Sequence, residues 1–395
     1  MENCELFGRK PFYPAEQQRS IMGKLVVLLA VSTVLAYFSQ QNTVLCYQTG
    51  TRYRPSRDWA YVLLVTILVF FSGMRFDYND TWNYISQFRS APSLLECLRS
   101  ETVRNVFSYP LFHLLISGFK SLYNNEYAFL FVTSCFTQCC FIWFIKRYST
   151  NFVFSIFLYF TLGTFCFTLA ALKQVLAMSV LMLAMPALER KQWLLYYFLV
   201  FIAMTLHTYA LAFAVLPLFR FRPWSFRTVV FLGAVVFSFL NFESVIASFL
   251  DSAEDVGKTI YSEDLLNNTS LNLLRVLVYS ATPLATFLFR RWLFRDSRAV
   301  HNILTHMSLI SFAFMLMGIR NGANMFARMG SYFEMGTICI LPWIFPKSLE
   351  PRSLRLANTL IAILFLGYFF YEFTFAKDFS SFQAFTLLEF FQRLF

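Results

Sequence analysis

Polar side chains that could do chemistry recur at the edges of the apolar stretches of this chain. The set is Arg75, Asp77, Asp80, Tyr84, Lys173, Gln174, His207, Arg320, Asn324, Arg328 and Tyr332. An ionisable group at bilayer depth costs about 2.5–3.5 kcal/mol on insertion scales, so several of them together indicate a function. The set combines cations, which bind anionic ligands, with carboxylates and a histidine, which transfer protons.

The first cluster runs from Gly73 to Tyr84 and contains Arg75, Asp77 and Asp80. Either aspartate could accept a proton from a sugar hydroxyl while an aromatic face such as that of Tyr84 holds the ring. The alternative is a solvated helix end with interfacial aromatic residues, and spacing alone leaves both open.

The second cluster, Lys173-Gln174, opens a predicted helix. A cation at that end opposes the helix dipole, and a bound anion would remove the conflict. The alternative is that Lys173 extends to the membrane interface without a ligand. His207 lies between two short apolar segments. It could be a base, or it could be a hydrogen-bonded residue of the core.

The last cluster runs from Gly318 to Glu334 and contains Arg320, Asn324, Arg328 and Tyr332. Arg328 and Tyr332 are four residues apart and share a helix face. Two guanidinium groups suit a diphosphate because each offers planar bidentate donors. Glu334 could instead neutralise an arginine structurally. No pattern of histidines or carboxylates predicts a metal or another cofactor.

The elements that must position these residues are membrane helices. The chain is 57% hydrophobic and only 14% charged, with a mean hydropathy of +0.54, whereas about 25% of residues are charged in soluble domains. We predict an all-α polytopic membrane protein, with one integral membrane domain over 1–395. About twelve segments read as crossings: Leu25–Ser39, Trp59–Gly73, Tyr127–Ile145, Phe152–Leu169, Gln174–Leu188, Trp193–Leu206, Thr208–Phe219, Thr228–Leu250, Leu271–Phe289, His301–Gly318, Met329–Phe345 and Leu356–Phe375.

The basic residues set the predicted orientation. The net charge of +11 comes mostly from short loops, which is typical of cytoplasmic loops and not of a nucleic-acid surface. Those loops carry Arg52, Arg54 and Arg57; Lys146 and Arg147; Arg190 and Lys191; Arg220, Arg222 and Arg227; Arg290, Arg291 and Arg295; and Lys347, Arg352 and Arg355. Alternation then predicts outer loops at 74–126 and at the acidic stretch 251–270.

This orientation requires that Val106–Tyr123 does not cross the membrane. We expect it to lie along the outer interface or to re-enter the membrane. The basic leader, with Arg9, Lys10, Arg19 and Lys24, would then be outside, against the rule.

The order of the motifs resembles that of a known family. Arg75, Asp80-Thr-Trp-Asn-Tyr84, Lys173-Gln174, Ala203 with His207, and Arg328 followed by Tyr332-Phe333 are similar to the EpsG family of Wzy-like bacterial polysaccharide polymerases. The resemblance covers about Trp59 to Pro346. The family usually has a glycine where this chain has Tyr78, and commonly an arginine where Lys173 stands. The fit of Asp80 to Tyr84 favours Asp80 over Asp77 as the family's aspartate.

The resemblance implies a GT-C-like glycosyltransferase. It would join oligosaccharide units carried on undecaprenyl diphosphate, at the periplasmic face of the bacterial inner membrane. Arg75, Lys173, Arg320 and Arg328 would receive the charge of the diphosphate, and Asp80 or His207 would be the base. We expect inversion without a metal ion. A protein that regulates chain length is a further partner of such systems.

Three other functions fit part of the pattern. A lipid-linked oligosaccharide flippase would carry its charges near mid-membrane and show paired repeats, which this sequence lacks. A membrane O-acyltransferase would use His207 but leaves the arginines without a role. An O-antigen ligase shares the donor chemistry, and only its acceptor differs. The sequence names neither the sugar nor the linkage.

Overall fold

A computed structural model describes residues 15–48, 54–241, 270–376 and 381–394. The predicted all-α fold is confirmed, since helices make up most of the described residues and strands only two short segments of them. Four predicted features lie outside them: the leader residues Arg9 and Lys10, the loop arginine Arg52, the end of the segment Thr228–Leu250 and the acidic loop up to residue 269.

The first half of the chain alternates long apolar helices with short ones. The helices are α1 Ala15–Gln48, α2 Trp59–Gly73, α3 Thr81–Ser90, α4 Leu94–Arg99, α5 Glu101–Arg104, α6 Pro110–Leu122, α7 Glu126–Tyr148, α8 Phe152–Thr161, α9 Thr164–Ala170, α10 Leu172–Glu189 and α11 Trp193–Leu206. Short 3₁₀ turns cover Pro55–Arg57 and Val106–Ser108, and strand β1 covers Arg75–Asp77.

The second half continues the bundle. A 3₁₀ helix covers Thr208–Phe219, followed by α12 Phe226–Leu240, α13 Leu273–Leu288, α14 Arg290–Leu293, α15 Ala299–Met317, α16 Ala323–Ser331, α17 Glu334–Ser348 and α18 Pro351–Tyr371. A π-helical turn at Glu372–Ala376, strand β2 at Gln383–Ala384 and helix α19 at Leu387–Leu394 complete the described chain.

Five helices of the described residues are long and apolar enough to cross a membrane. They lie in α1, α7, α10, α15 and α18, and the bent pair α8–α9 is a sixth candidate. The pair bends by 54° at Gly163, whose φ of 83° suits a residue without a Cβ. Shorter apolar helices occupy five more of the predicted positions. The chain is therefore a multi-pass helical membrane protein.

A second predicted segment, besides Phe152–Leu169 with its bend at Gly163, is not a continuous helix. Met329–Phe345 was expected as a single crossing, but α16 ends at Ser331 and α17 begins at Glu334. The apolar count of the segment gave no sign of this break, because Tyr332 and Phe333 are themselves apolar enough to continue a helix. The break sets the direction of α16, which carries Arg328.

The two halves around His207 are separate helices, as the sequence indicated. Helix α11 ends at Leu206, His207 is extended with φ −158° and ψ 119°, and the 3₁₀ helix begins at Thr208. A 3₁₀ helix rises about 2.0 Å per residue against 1.5 Å for an α-helix, so its 12 residues cover about 24 Å. A short segment can thereby extend across much of the bilayer.

The loops predicted to be cytoplasmic meet at one end of the bundle. Arg147 lies 3.8 Å from Glu189 at the end of α10, and Arg220 donates hydrogen bonds to the carbonyls of Leu188 and Glu189. Asn302 donates to the carbonyl of Arg220 at 3.2 Å. The 18 residues of α10 separate this end from Lys173 by about 27 Å at 1.5 Å per residue.

Short helices and a small sheet cover the other end. The predicted interfacial segment Val106–Tyr123 contains a 3₁₀ turn and the 13-residue helix α6, about 20 Å long at 1.5 Å per residue. This length is below the roughly 30 Å of a hydrocarbon core. Strand β1 pairs antiparallel with β2, which ties the C-terminal segment to the end of α2.

Candidate active site

A polar cavity of about 230 Å³ lies at the end of the bundle opposite the basic loops. Its walls come from five parts of the chain: α3, the entry to α6, the start of α10, the break at His207, and α16. The lining residues are Asp80, Asn83, Tyr84, Gln87, Tyr109, Ala171, Lys173, Gln174, His207 and Arg328. Six residues singled out from the sequence therefore meet in one place.

Helix α3 supplies one wall through a single face. Asp80, Asn83, Tyr84 and Gln87 are spaced at i, i+3, i+4 and i+7, which aligns them along one side of a helix. Asp80 immediately precedes the helix, but its side chain makes no capping hydrogen bond to it. Its carboxylate is thus directed to the cavity and not to the backbone.

Arg328 faces Asp80 across the cavity. Its Nη2 lies 3.8 Å from Asp80 Oδ2, and its Nε donates to Asn324 Oδ1 at 3.1 Å. The predicted residue Asn324 therefore acts on the guanidinium of Arg328. Gln174 fixes the backbone there, because its Nε2 donates to the carbonyl of Arg328 at 2.6 Å and to Ser331 Oγ at 2.9 Å.

Lys173 provides the second cation. Its Nζ lies 5.2 Å from the ring centre of Tyr109 and 4.9 Å from that of Phe112, within cation–π range. Burial lowers the pKa of nearby His113, and the charge of Lys173 lowers it further. His113 is therefore neutral near pH 7, which leaves the positive charge here with Lys173.

Tyr109 connects Lys173 to His207. Its backbone is left-handed, with φ 55° and ψ 49°, which is uncommon for a residue other than glycine or asparagine. This conformation turns the chain into α6 and stacks the Tyr109 ring on His207, with ring centres 5.6 Å apart and planes at 23°. Strained backbone of this kind concentrates at functional sites.

His207 is held on several sides. Tyr332 Oη and His207 Nδ1 are 2.9 Å apart, and the ring of Tyr209 meets the imidazole edge-on at 5.0 Å. The predicted residue Tyr332 is buried and does not line the cavity. It can therefore affect a bound molecule only by holding His207 in place. Because His207 is itself in the lining, its ring is held in position beside any bound molecule.

Two amide oxygens in the cavity wall are buried without a hydrogen-bond partner among the described residues. They are Gln87 Oε1 and Gln174 Oε1. Buried polar atoms are nearly always hydrogen-bonded in native proteins, so an orphaned pair in one cavity needs an explanation. A ligand with hydroxyl donors would satisfy both.

Tyr84 remains a neutral phenol. Burial, and to a lesser extent the carboxylate of Asp80, raise its pKa to about 12. Its hydroxyl can therefore donate a hydrogen bond at neutral pH. Arg75 lies behind this wall: it is 1% exposed, and its Nη1 donates to the Ser72 carbonyl and to Ser134 Oγ.

Five predicted residues do not line the cavity: Asn324 and Tyr332, which contact Arg328 and His207, and also Arg75, Asp77 and Arg320. Arg75 is enclosed by protein, and burial lowers its pKa to about 10. Asp77 lies in β1, where burial raises its pKa. The guanidinium of Arg320 lies 5.7 Å from the ring centre of Phe239 on α12. Sequence spacing placed these residues near the right helix ends, but it could not tell which side chains point into the cavity.

Glu334 interacts with an arginine that lies outside the cavity. Its Oε1 accepts a hydrogen bond from Tyr279 Oη, and its charge acts on Arg275 of α13. Arg275 also pairs with Glu372. The alternative role that the sequence left open for Glu334 is therefore structural, although its arginine partner is a different one.

Four cavity residues were missed from the sequence: Ala171 and the polar residues Asn83, Gln87 and Tyr109. Of the polar ones, Asn83 and Gln87 lie on α3. These two share the helical spacing of Asp80 and Tyr84, which is a signal that the sequence does contain. Tyr109 precedes Pro110, which restricts its backbone, but nothing in the sequence predicts a left-handed conformation.

Comparison with known proteins tests the resemblance drawn from the motifs. A profile of the EpsG family matches residues 58–387. The chain belongs to the EpsG family. The match extends beyond the predicted range of Trp59 to Pro346 and includes every residue that lines the cavity. Searches of curated proteins and of solved structures gave no significant match.

Membership of the EpsG family points to polysaccharide biosynthesis and to a polymerase-like, glycosyltransferase-like membrane enzyme. Within the described part of this EpsG-family chain, no three His, Cys, Asp or Glu side chains are grouped so that they could hold a metal ion. A substrate in the cavity would therefore contact its polar side chains directly.

Proposed function

We propose that this EpsG-family chain is a glycosyltransferase that polymerises oligosaccharide repeat units carried on undecaprenyl diphosphate. The observation that carries the proposal is the cavity that combines one carboxylate, two cations and two orphaned amide oxygens. A sugar joined to a diphosphate needs this combination, because it presents hydroxyl groups and a dianionic leaving group side by side.

The two cations are suited to the leaving group. Arg328 offers a planar fork of N–H donors and keeps its charge when partly buried, whereas Lys173 provides a point charge. Both are held before any substrate arrives, Arg328 by Asn324 and Lys173 by two aromatic rings. Donors fixed in this way stabilise developing charge without reorganising during the reaction.

Asp80 is suited to be the base. The hydroxyl oxygen of the acceptor attacks the anomeric carbon, the bond from that carbon to the diphosphate oxygen breaks, and the diphosphate leaves with the electron pair. The hydroxyl proton passes to Asp80 Oδ. Because Asp80 is the carboxylate of the described cavity lining, we expect one displacement, with inversion and no covalent intermediate.

His207 is the second candidate for the base. Its Nδ1 is already engaged by Tyr332, and the whole residue is 8% exposed, whereas the Asp80 side chain is 34% exposed. We therefore assign His207 to orienting the sugar or the phosphate. The pH dependence of the two variants separates these roles, since a base sets the acidic limb of the rate profile.

The face of the membrane follows from the distribution of charge. The cavity lies about 27 Å, one length of α10, from the loops rich in arginine and lysine. Those loops belong on the cytoplasmic side under the positive-inside rule. We therefore propose one integral domain over 1–395 in a bacterial inner membrane, with its cavity and the outer loop 74–126 on the periplasmic side.

The direct test uses protein purified in detergent and a synthetic lipid-linked repeat unit. A ladder of longer glycans is expected on electrophoresis, because an enzyme needs no sealed membrane. A flippase would give no ladder, an O-antigen ligase would extend only a lipid A core acceptor, and an O-acyltransferase would use an acyl donor. Activity that is lost in EDTA and restored by Mg²⁺ would contradict the metal-independent mechanism.

A second measurement addresses stereochemistry and partners. NMR of the new linkage is expected to show an anomeric configuration opposite to that of the donor. A glycosyl-enzyme adduct after incubation with donor alone would contradict the single displacement. We also propose that a separate protein regulates chain length, which predicts an uncontrolled length distribution from the purified chain.

A further inference from the structure

An apolar groove of about 410 Å³ lies between α12, α15 and α16. No charged residue contributes to its described lining. The lining residues are Phe231, Ala234, Val235, Ser238, Ile310, Ala313, Phe314, Met317, Met325, Phe326 and Met329. Three of them are methionines, whose unbranched and polarizable side chains adapt to a flexible apolar chain.

Helix α16 is shared by the groove and the polar cavity. Arg328 lines the cavity, whereas Met325, Phe326 and Met329 line the groove. Met325 and Arg328 are three residues apart, and Met329 directly follows Arg328, so each lies within about one helical turn of the guanidinium-bearing residue. A molecule whose anionic group binds Arg328 therefore has the groove within short reach.

Tyr209 joins the two spaces on another side. Its ring meets the imidazole of His207 edge-on at 5.0 Å, and it also packs against the buried cluster of Met317, Met325 and Phe326. Phe239 packs on the same cluster, and the guanidinium of Arg320 lies 5.7 Å from the Phe239 ring centre. Cations thus flank the groove at Arg320 and Arg328, while the groove itself is apolar.

We infer that this groove holds the start of the isoprenoid chain of the lipid carrier, with the diphosphate at Arg328 and Arg320 beside it. The inference rests on the proposed function, because that substrate joins an anionic group directly to an apolar chain. It gives Arg320, which lies outside the cavity, a position along the path of the substrate. It also explains why α16 is a separate short helix with two chemically different faces.

The test is photolabelling of the full chain in lipid nanodiscs, with a polyprenyl diphosphate that carries a diazirine near its first isoprene units. Mass spectrometry is expected to locate the label on α12 and α15, at residues such as Val235 and Ile310. Unlabelled polyprenyl diphosphate should suppress the labelling, whereas excess phosphatidylglycerol should not. Suppression by the phospholipid, or label located elsewhere, would overturn the inference.

A matched pair of variants on α12 tests the same point. Ala234→Trp fills the groove, so it should lose most of the label and most of the glycan ladder. Val230→Trp changes a lipid-facing position, 56% exposed, on the same helix and should retain both. Thermal unfolding in detergent shows whether both variants are folded, and equal labelling of the two would overturn the inference.

The outcomes also separate this inference from the proposed function. A wild-type chain that labels in the groove but makes no glycan ladder would retain the isoprenoid site and reject the polymerase. An Ala234→Trp variant with normal ladders, beside an inactive Asp80→Asn variant, would retain the polymerase and reject the groove.

Discussion

Arg328 Nη2 and Asp80 Oδ2 lie 3.8 Å apart, on elements from opposite parts of the chain. Both side chains are about one-third exposed, at 38% and 34%. An ion pair so exposed contributes only about 0–1 kcal/mol to stability, so the pair is not explained by folding alone. We interpret it as the resting state of the site, in which each charge keeps the other in place until a substrate separates them.

Asp80→Asn should reduce polymer formation by about 10²–10⁴-fold, which is the usual contribution of a general base. Asparagine keeps the size of the side chain but cannot accept the proton. The measurement is initial rate with a synthetic lipid-linked repeat unit. Asp77→Asn is the matched control, because Asp77 lies in β1 outside the cavity, and it should retain activity. The reverse result would make Asp77 the family's aspartate.

Arg328→Ala should raise KM for the lipid-linked donor strongly and reduce kcat, since one of the two proposed diphosphate cations is lost. Arg328→Lys should recover only part of the activity, because lysine lacks the bidentate fork. Arg89→Ala removes a surface pair with Glu126 and should change little. Equal activity of Arg328→Ala and Arg89→Ala would exclude Arg328 from substrate binding.

Lys173→Met should yield a folded but poorly active protein. Methionine keeps the apolar contacts with Tyr109 and Phe112 but removes the charge that we assign to the diphosphate. Lys173→Arg should keep most activity if charge alone counts, since arginine also stacks on aromatic faces. Calorimetry of donor binding tests this. If Lys173→Met binds the donor with full affinity, Lys173 does not bind the diphosphate and only extends to the membrane interface.

Tyr332→Phe should lower kcat with little change in KM, because Tyr332 fixes His207 and does not line the cavity. Tyr196→Phe is the control: its hydroxyl donates to the Phe213 carbonyl at 2.6 Å, away from the cavity. Both variants lose about 0.5–1.5 kcal/mol of stability. Identical kinetics in the two would leave Tyr332 with a structural role only.

Arg275→Met should destabilise the fold by about 3–5 kcal/mol, the usual cost of leaving a buried charge without its partner. Glu372, which is 1% exposed, pairs with Arg275, and buried Glu334 interacts with the same guanidinium. Thermal unfolding in detergent measures the loss. Adding Glu372→Gln should recover part of the melting temperature, and a single variant as stable as the wild type would show that the network is not needed.

The fold class could be predicted because its cause is local. Long apolar runs must form helices in lipid, where each backbone polar group needs an internal partner. The same reasoning located the start of α10 at Leu172 and the break at His207, where a polar residue interrupts two short apolar halves. The break between α16 and α17 was not predicted, although Gly330 and Ser331 directly precede it, because the apolar residues on both sides were counted as one crossing.

The residues of the site could be predicted in part for a related reason. A charge in an apolar sequence is costly, so Asp80, Lys173, His207 and Arg328 stand out by type alone. Gln87 and Tyr109 do not stand out, because amides and tyrosines are common near interfaces. Their importance depends on neighbours that only the fold supplies.

By itself the sequence determined that this is a helical membrane protein of the EpsG family, with its ionisable residues at helix ends. Only the tertiary structure decided which of those residues meet: Arg75 turns into the protein, Arg320 turns towards α12, and Arg328 reaches Asp80. The physical reason is the distance along the chain over which each effect acts. Hydrophobic periodicity and charge cost act within one segment, whereas the direction of a side chain depends on how segments distant in the chain pack together.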